Sequence, residues 1–148
     1  MKKTILYRLF KVGRVHPKKL MPALKKEGLV ACDEGIAGRI YLENYSAPGK
    51  RSRKKLIWFS GFVVVTKVRL IAFAYWKPLI NVKFADERFG AMRAELDGPD
   101  RISFRFEASA FREDASGEIL VRFRTPKARE ILEAISSVSE TAGSRKTR

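Results

Sequence analysis

Residues that usually carry chemistry are scarce in this chain. Its 148 residues include one cysteine, Cys32, and one histidine, His16, so neither an internal disulfide nor a Cys/His zinc site can form. The acidic pairs Asp33–Glu34 and Glu113–Asp114 lack the spacing of metal ligands, and the sequence has no glycine-rich phosphate loop. We expect Cys32 to be a small buried residue and His16 a surface or packing residue. The sequence therefore predicts a binding protein rather than an enzyme, without a metal or another cofactor.

Long uninterrupted hydrophobic runs are also missing. Near the N-terminus, Arg8 and Lys11 interrupt the apolar residues, whereas a secretory leader needs about 7–15 of them in a row. The stretch Ile57–Trp76 is long enough to span a bilayer, but Lys67 and Arg69 lie in it. Each such charge costs about 2.5–3.5 kcal/mol at the centre of a membrane helix. We therefore expect two strands there, no transmembrane segment, and a cytoplasmic protein.

Acidic residues are few, and this leaves a large excess of positive charge. Sixteen acids stand against 31 lysines and arginines, which gives a net charge of +15. Residues 1–27 carry a net +8 and residues 50–83 a net +9, while the remaining residues sum to −2. Concentrated positive charge attracts phosphate-bearing lipids and nucleic acids, although a charged surface also keeps a small protein soluble.

The second basic segment opens with the densest group of cations in the chain. Five of the six residues at 50–55 are basic, and an aromatic residue follows three positions later. Because the turn-forming residues 46–49 precede them, we expect an exposed loop between two strands. The tryptophan would serve as an anchor at a membrane interface; a half-buried barrel residue is its alternative role. The candidate anion-binding residues are Lys50, Arg51, Arg53, Lys54, Lys55 and Trp58.

Alternation of apolar and polar residues predicts a series of strands from Leu29 onward. The clearest lies at 101–108, where Ile102, Phe104 and Phe106 alternate with polar residues. Roughly seven antiparallel strands are predicted in all, which is typical of a small barrel or sandwich. The others are expected at about 36–43, 56–66, 68–75, 79–84, 92–97 and 119–123.

The chain pattern then changes to that of one amphipathic helix. Apolar residues recur at helical spacing from Ala128 to Val138. Thr125 and Pro126 precede them, and these residue types are typical of a helix start. The sequence therefore predicts a C-terminal helix at 126–138 that packs on the strands.

Both ends of the chain depart from this pattern. A second helix is predicted from Pro17 to Glu27, and we expect it to pack on the domain through Leu20, Met21 and Leu24. Residues 1–15 fit a helix or a strand, because a short apolar run does not set a period. The expected organisation is a basic N-terminal extension at 1–28, one domain at 29–138, and a disordered basic tail at 139–148.

Residues 58–72, WFSGFVVVTKVRLIA, resemble a hairpin of the bacterial pleckstrin-homology-like (PH/GRAM-like) family, with its Leu-Thr-x-x-Arg-Leu turn. Val65 replaces the usual leucine, and Val68 takes a position that is more often polar. The last strand and the helix after it also resemble the capping helix of that family. The resemblance implies a PH-like barrel over 29–138, closed at one end by the helix. It also implies anion binding beside the loop that joins the first two strands.

Three kinds of partner follow as expectations. The leading one is an anionic lipid at the inner face of the membrane, or an acidic protein surface, bound by residues 50–55. Nucleic acid is the alternative, because Phe104 and Phe106 alternate with Arg101 and Arg105 as in a base-stacking sheet. Burial of both rings in a core is the competing interpretation. A homo-oligomeric assembly module is the third expectation.

Overall fold

The computed structural model describes residues 21–75, 77–111 and 113–146. Most of them belong to strands, and a 3₁₀ turn at Ala108–Ala110 follows the sixth strand. The strands are β1 (Leu29–Ala47), β2 (Lys50–Thr66), β3 (Arg69–Ala74), β4 (Lys77–Lys83), β5 (Arg93–Gly98), β6 (Arg101–Glu107) and β7 (Ser116–Arg124). The helices are α1 (Met21–Glu27), α2 (Glu87–Gly90) and α3 (Ala128–Lys146).

Strands β1 and β2 form one long hairpin around a two-residue turn. Pro48 has a restricted φ, and Gly49 adopts the φ of +77° that the third position of a type II turn requires. The ladder therefore begins at once, with Ala47 opposite Lys50. The prediction of a loop at 50–55 is wrong: these residues are the first part of β2, because the tight turn leaves no residues for a loop.

The seven strands form a single antiparallel sheet in the order β4-β3-β2-β1-β7-β6-β5. Strands β4 and β5 are consecutive in the chain but lie at opposite edges, which in a flat sheet would be roughly 29 Å apart. Residues 84–92 join them, and α2 shortens their reach, because a helical residue advances the chain by only about 1.5 Å. The sheet is therefore curled into a half-barrel.

The inner face of the curled sheet holds the main core. Apolar side chains from all seven strands meet there, and α3 covers them with the apolar stripe that begins at Ala128. The Phe123 ring makes edge contacts with Phe59 and Phe104, at centroid distances of 5.4 and 6.3 Å. Gly38 lies opposite Phe59 in the ladder, and a side chain there would occupy the space of the Phe59 ring. These contacts bind the two halves of the sheet together.

A smaller cluster lies on the outer face, where α1 packs against β2 and β3. Leu24 is only 1% exposed and contacts Phe62, Val64 and Ile71. Helix α1 ends at Glu27, because Gly28 follows it with a φ of +91°. The carboxylate of Glu27 accepts hydrogen bonds from the hydroxyl of Thr66 and from Nε of Arg69, both at 3.0 Å. The described part of the extension is thus attached by packing and by an ion pair.

The predicted fold class, a mostly β domain of about seven antiparallel strands with a C-terminal helix, is confirmed. Helix α3 begins two residues later than predicted and continues past Val138, so residues 139–146 are helical where a tail without regular structure was expected. No proline interrupts the helix there. The mobility of this tail in solution and the domain bounds stay predictions. The expectations for residues 1–20, including His16, Pro17 and Leu20, lie outside the described residues.

Candidate anion-binding surface

The basic residues 50–55 lie on a part of β2 that forms an edge of the sheet. Strand β3 pairs with β2 only from Gly61 to Val65. Within the described ranges, the rest of β2 has β1 as its single ladder partner. Tyr75 contacts this edge by donating hydrogen bonds to the carbonyl oxygens of Ser60, at 2.8 Å, and Trp58, at 3.5 Å. We call residues 50–58 the basic edge.

Side chains of the basic edge alternate between the two faces of the sheet. Ile57 and Phe59 face the core, so Lys54, Leu56 and Trp58 lie together on the outer face. Leu56 is 43% exposed and Trp58 is 59% exposed. The outer side of the basic edge therefore combines a cation with two apolar side chains that water can reach.

Four cations of the basic edge, at positions 51 and 53–55, form no ion pair with the described residues. Glu43 lies opposite Lys54 in the ladder, but the two side chains form no ion pair. Charged edge residues also prevent a sheet from pairing with another sheet, which gives this charge a structural role of its own. The exposed cations are Arg51, Arg53, Lys54 and Lys55, and the side chain of Lys50 lies outside the described residues.

Trp58 is held in place by an arginine of the neighbouring strand. Arg39 lies opposite Trp58 in the β1–β2 ladder, and its guanidinium carbon is 3.9 Å from the centroid of the tryptophan ring. Nη1 of Arg39 also donates a hydrogen bond to the hydroxyl of Tyr41, at 3.4 Å. Arg122 lies over the Tyr41 ring, 5.6 Å from its centroid. Cation–π attraction thus orders both rings on the outer face.

Four arginines surround a depression beside Trp58. Arg39 is opposite Arg122 in the β1–β7 ladder, and Arg101 is opposite Arg124 in the β6–β7 ladder. Like charges in directly opposite positions repel each other, so these pairs weaken the sheet unless something neutralises them. We call this cavity of about 120 Å³ the arginine depression; its lining is Ala37, Gly38, Arg39, Trp58, Arg101, Arg122 and Arg124.

Carboxylates neutralise only half of this cluster. Nε of Arg122 lies 3.0 Å from Oδ2 of Asp97, and Nε of Arg124 lies 3.2 Å from Oδ2 of Asp100. No acidic side chain of the described residues pairs with the other two arginines of the depression. Within the described residues, the arginine depression therefore keeps two positive charges without a counter-ion.

The base-stacking arrangement considered for Phe104 and Phe106 is wrong. Phe104 is 0% exposed and Phe106 is 7% exposed, because both belong to the main core. Arg101 and Arg105 lie on the opposite face of β6 and are exposed, and Arg105 pairs with Glu118 at 3.2 Å. Any partner of this strand therefore meets arginines and no aromatic ring.

Three further observations concern metal binding, the cysteine Cys32 and membrane crossing. Among the described residues, no group of three or more His, Cys, Asp or Glu side chains could hold a metal ion. Cys32 is half-buried on β1, beside the outer cluster that contains Leu24. None of the helices in the described ranges is long and apolar enough to cross a membrane.

Sequence reasoning found one segment of this surface and missed the rest. Leu56 was not predicted to belong to this surface, because an apolar residue among cations suggests a core position. Arg39 and Tyr41 were not predicted either, because they lie on another strand. Their alternation with Ile40 and Leu42 was a usable signal for outward orientation. The ladder partners, which place Arg39 beside both Trp58 and Arg122, have no local signal in the sequence.

A comparison with known protein families finds no family model that matches this chain, and no curated protein matches it either. The functional assignment therefore depends on the geometry of the surface itself.

Proposed function

We propose that this chain is a non-catalytic, PH-like binding module that associates with anionic membranes through the basic edge. One observation carries the proposal: cations from Arg51 to Lys55, which have no counter-ions among the described residues, continue along β2 into the exposed Leu56 and Trp58. A row of cations next to accessible apolar side chains is typical of surfaces that lie in the headgroup region of a bilayer. In this proposal the protein works at the cytoplasmic face of the membrane.

The energies favour a contact that uses both kinds of side chain. Each Lys or Arg near an anionic leaflet contributes about 1 kcal/mol. Lys54 shares the outer face with Leu56 and Trp58, whereas the other three exposed cations lie on the opposite face of the same edge. All four therefore act together when the edge itself meets the membrane, and they then contribute about 4 kcal/mol, which corresponds to a dissociation constant of about 1 mM. Burial of an apolar side chain adds about 1.5–3 kcal/mol. Leu56 and Trp58 therefore raise a weak electrostatic attraction to a useful affinity.

The architecture supports the same proposal. Seven antiparallel strands followed by a C-terminal helix are what the PH-like resemblance implies, and the basic edge lies next to the turn that joins the first two strands. An open edge next to a turn is also free to approach a flat surface. The proposal names an anionic membrane and no particular lipid, because exposed cations attract any anionic headgroup.

The test measures co-sedimentation with vesicles of phosphatidylcholine alone or mixed with phosphatidylserine, at low and at physiological salt. We expect wild type to bind only the mixed vesicles and to bind them less at higher salt, because ions screen exposed charges. The triple variant Arg51→Glu, Arg53→Glu, Lys54→Glu should lose binding. Its melting temperature should fall only slightly, because the three side chains are exposed and the one new like-charge pair, which Lys54→Glu forms with Glu43, costs about 0.2–1 kcal/mol.

A matched control separates the basic edge from net charge. The triple variant Lys83→Glu, Arg93→Glu, Arg129→Glu changes the net charge equally, at exposed positions outside the basic edge. It should retain most of the binding; equal loss in both variants would assign the effect to total charge and refute the proposal. Binding to an RNA or DNA oligonucleotide without binding to acidic vesicles would favour the nucleic-acid alternative instead.

A further inference from the structure

The arginine depression has the features of a built recognition site. Two small residues of β1, the exposed Ala37 and the buried Gly38, belong to its lining. Trp58 forms one wall and keeps the guanidinium of Arg39 in place by stacking. The depression is therefore shaped by backbone and ring positions rather than by flexible side chains alone.

The charges of the arginine depression also indicate that it binds an anion. Arg122 and Arg124 are oriented by Asp97 and Asp100, so their positions are set before any ligand arrives. The two arginines without a carboxylate line the same depression from different strands. Guanidinium groups are planar, permanently charged, and suited to bidentate contacts with phosphate oxygens. An anion in the depression would relieve the repulsion within the facing pairs Arg39–Arg122 and Arg101–Arg124.

We infer that the arginine depression binds a phosphate group, with Arg39 and Arg101 as its principal contacts and Trp58 as the wall beside it. A volume of about 120 Å³ is below the range of about 300–1,000 Å³ that is usual for pockets of drug-sized ligands. The depression thus encloses a group of about the size of a phosphate ester.

This inference rests on the proposed function and deepens it. Trp58 belongs to both the basic edge and the arginine depression, so a membrane contacted by the basic edge brings lipid phosphates next to the depression. A phosphomonoester headgroup carries more charge and more accessible oxygens than a phosphodiester. Phosphatidic acid and free inorganic phosphate share this chemistry and are the two sources that the experiment separates.

The first arm uses the 148-residue chain and inorganic phosphate, with acetate at equal ionic strength as the reference. NMR follows the indole N–H of Trp58, assigned with Trp58→Phe, and the Nε–H groups of the arginines. We expect phosphate to shift these resonances saturably, and acetate to leave them unchanged. In Arg101→Gln, whose side chain pairs with no acid in the described structure, the phosphate affinity should fall about tenfold or more. Arg93→Gln, on the outer face of β5, should behave like wild type.

The second arm compares vesicles that carry phosphatidic acid or phosphatidylserine at matched surface charge. Wild type should prefer phosphatidic acid. Arg101→Gln, which leaves the contact between Arg39 and Trp58 intact, should lose most of that preference while still binding phosphatidylserine through the basic edge. Phosphate shifts at Trp58 without any vesicle binding would uphold this site with a soluble ligand and refute the membrane proposal. Vesicle binding without phosphate-induced shifts at Trp58, and without a preference for phosphatidic acid, would overturn this inference and leave the membrane proposal standing. If an RNA oligonucleotide binds more tightly than phosphatidic acid vesicles do, and these vesicles do not displace it, the inference is overturned in favour of nucleic acid.

Discussion

At the scale of single residues, Gly61 is the first residue of β2 that pairs with β3. It lies opposite Ala74, and a Cβ at this position would collide with the carbonyl oxygen of Phe73. Because that oxygen belongs to the backbone of the adjacent strand, the collision can be relieved only if the strands separate. We expect Gly61→Ala to lower the free energy of unfolding by about 1–3 kcal/mol, measured by urea denaturation.

The matched control for this substitution is Gly90→Ala. Gly90 ends α2, and a Cβ there meets no atom within 4 Å. Alanine favours helix over glycine by about 1 kcal/mol, so this variant should be neutral or slightly more stable than wild type. Equal destabilisation by the two substitutions would show that close approach of β2 and β3 is not the cause.

At the scale of elements, Thr125 connects the start of α3 to β1. Its side chain is fully buried, its hydroxyl donates a hydrogen bond to Oδ2 of Asp33 at 2.6 Å, and its Oγ1 accepts one from the backbone N–H of Lys127 at 3.0 Å. Thr125→Val keeps the shape of the side chain and removes both bonds. We expect a loss of about 1–3 kcal/mol in the free energy of unfolding, because a buried carboxylate loses a donor.

Thr125→Ser separates the hydroxyl from the methyl group. Serine keeps the bonds to Asp33 and to the N–H of Lys127, so most of the stability should remain. If serine and valine destabilise the protein equally in urea, then packing of the methyl group, and not the hydrogen bonds, attaches α3 to β1.

At the scale of the whole molecule, the net charge decides how salt acts on stability. Thirty-one basic residues face 16 acidic ones, so repulsion exceeds attraction across the surface. The surface ion pairs of the described structure, such as Arg124–Asp100, contribute about 0–1 kcal/mol each. We therefore expect the melting temperature to rise with sodium chloride from low to physiological concentration, as measured by calorimetry.

The charge-reversed variant Arg51→Glu, Arg53→Glu, Lys54→Glu is the comparison for this prediction. Its net charge is lower by six, so its melting temperature should depend less on salt than that of wild type. A wild-type melting temperature that falls as salt is added would mean that ion pairs, and not repulsion, dominate the electrostatics of the fold.

The parts of this fold that sequence predicts are those with a local physical signal. Alternation in Ile102, Phe104 and Phe106 predicted a strand with one buried face, and the helical spacing after Ala128 predicted α3. The basic edge was predicted by charge but assigned to a loop, because lysine and arginine resemble loop residues when a turn precedes them. A two-residue turn permits a ladder immediately, and this depends on the backbone of Pro48 and Gly49.

The arginine depression could not be predicted in the same way. Its lining comes from four strands, β1, β2, β6 and β7, that only the sheet order brings together. Within one strand, each arginine looks like an ordinary solvent-facing residue. Only the register that places Arg39 between Trp58 and Arg122 turns separate charges into a cluster.

The β1–β7 ladder determines the order in which this sheet can assemble during synthesis. It joins residues 37–46 to residues 116–124, partners that are 70 to 87 positions apart, whereas each of the other ladders joins strands consecutive in the chain. Strand β1 leaves the ribosome early and can pair with β2, but its second edge has no partner until β7 has emerged. Distant pairing is slower than the formation of local hairpins. The nascent chain therefore carries two separate meanders, and the last strand to be synthesised is the one that unites them.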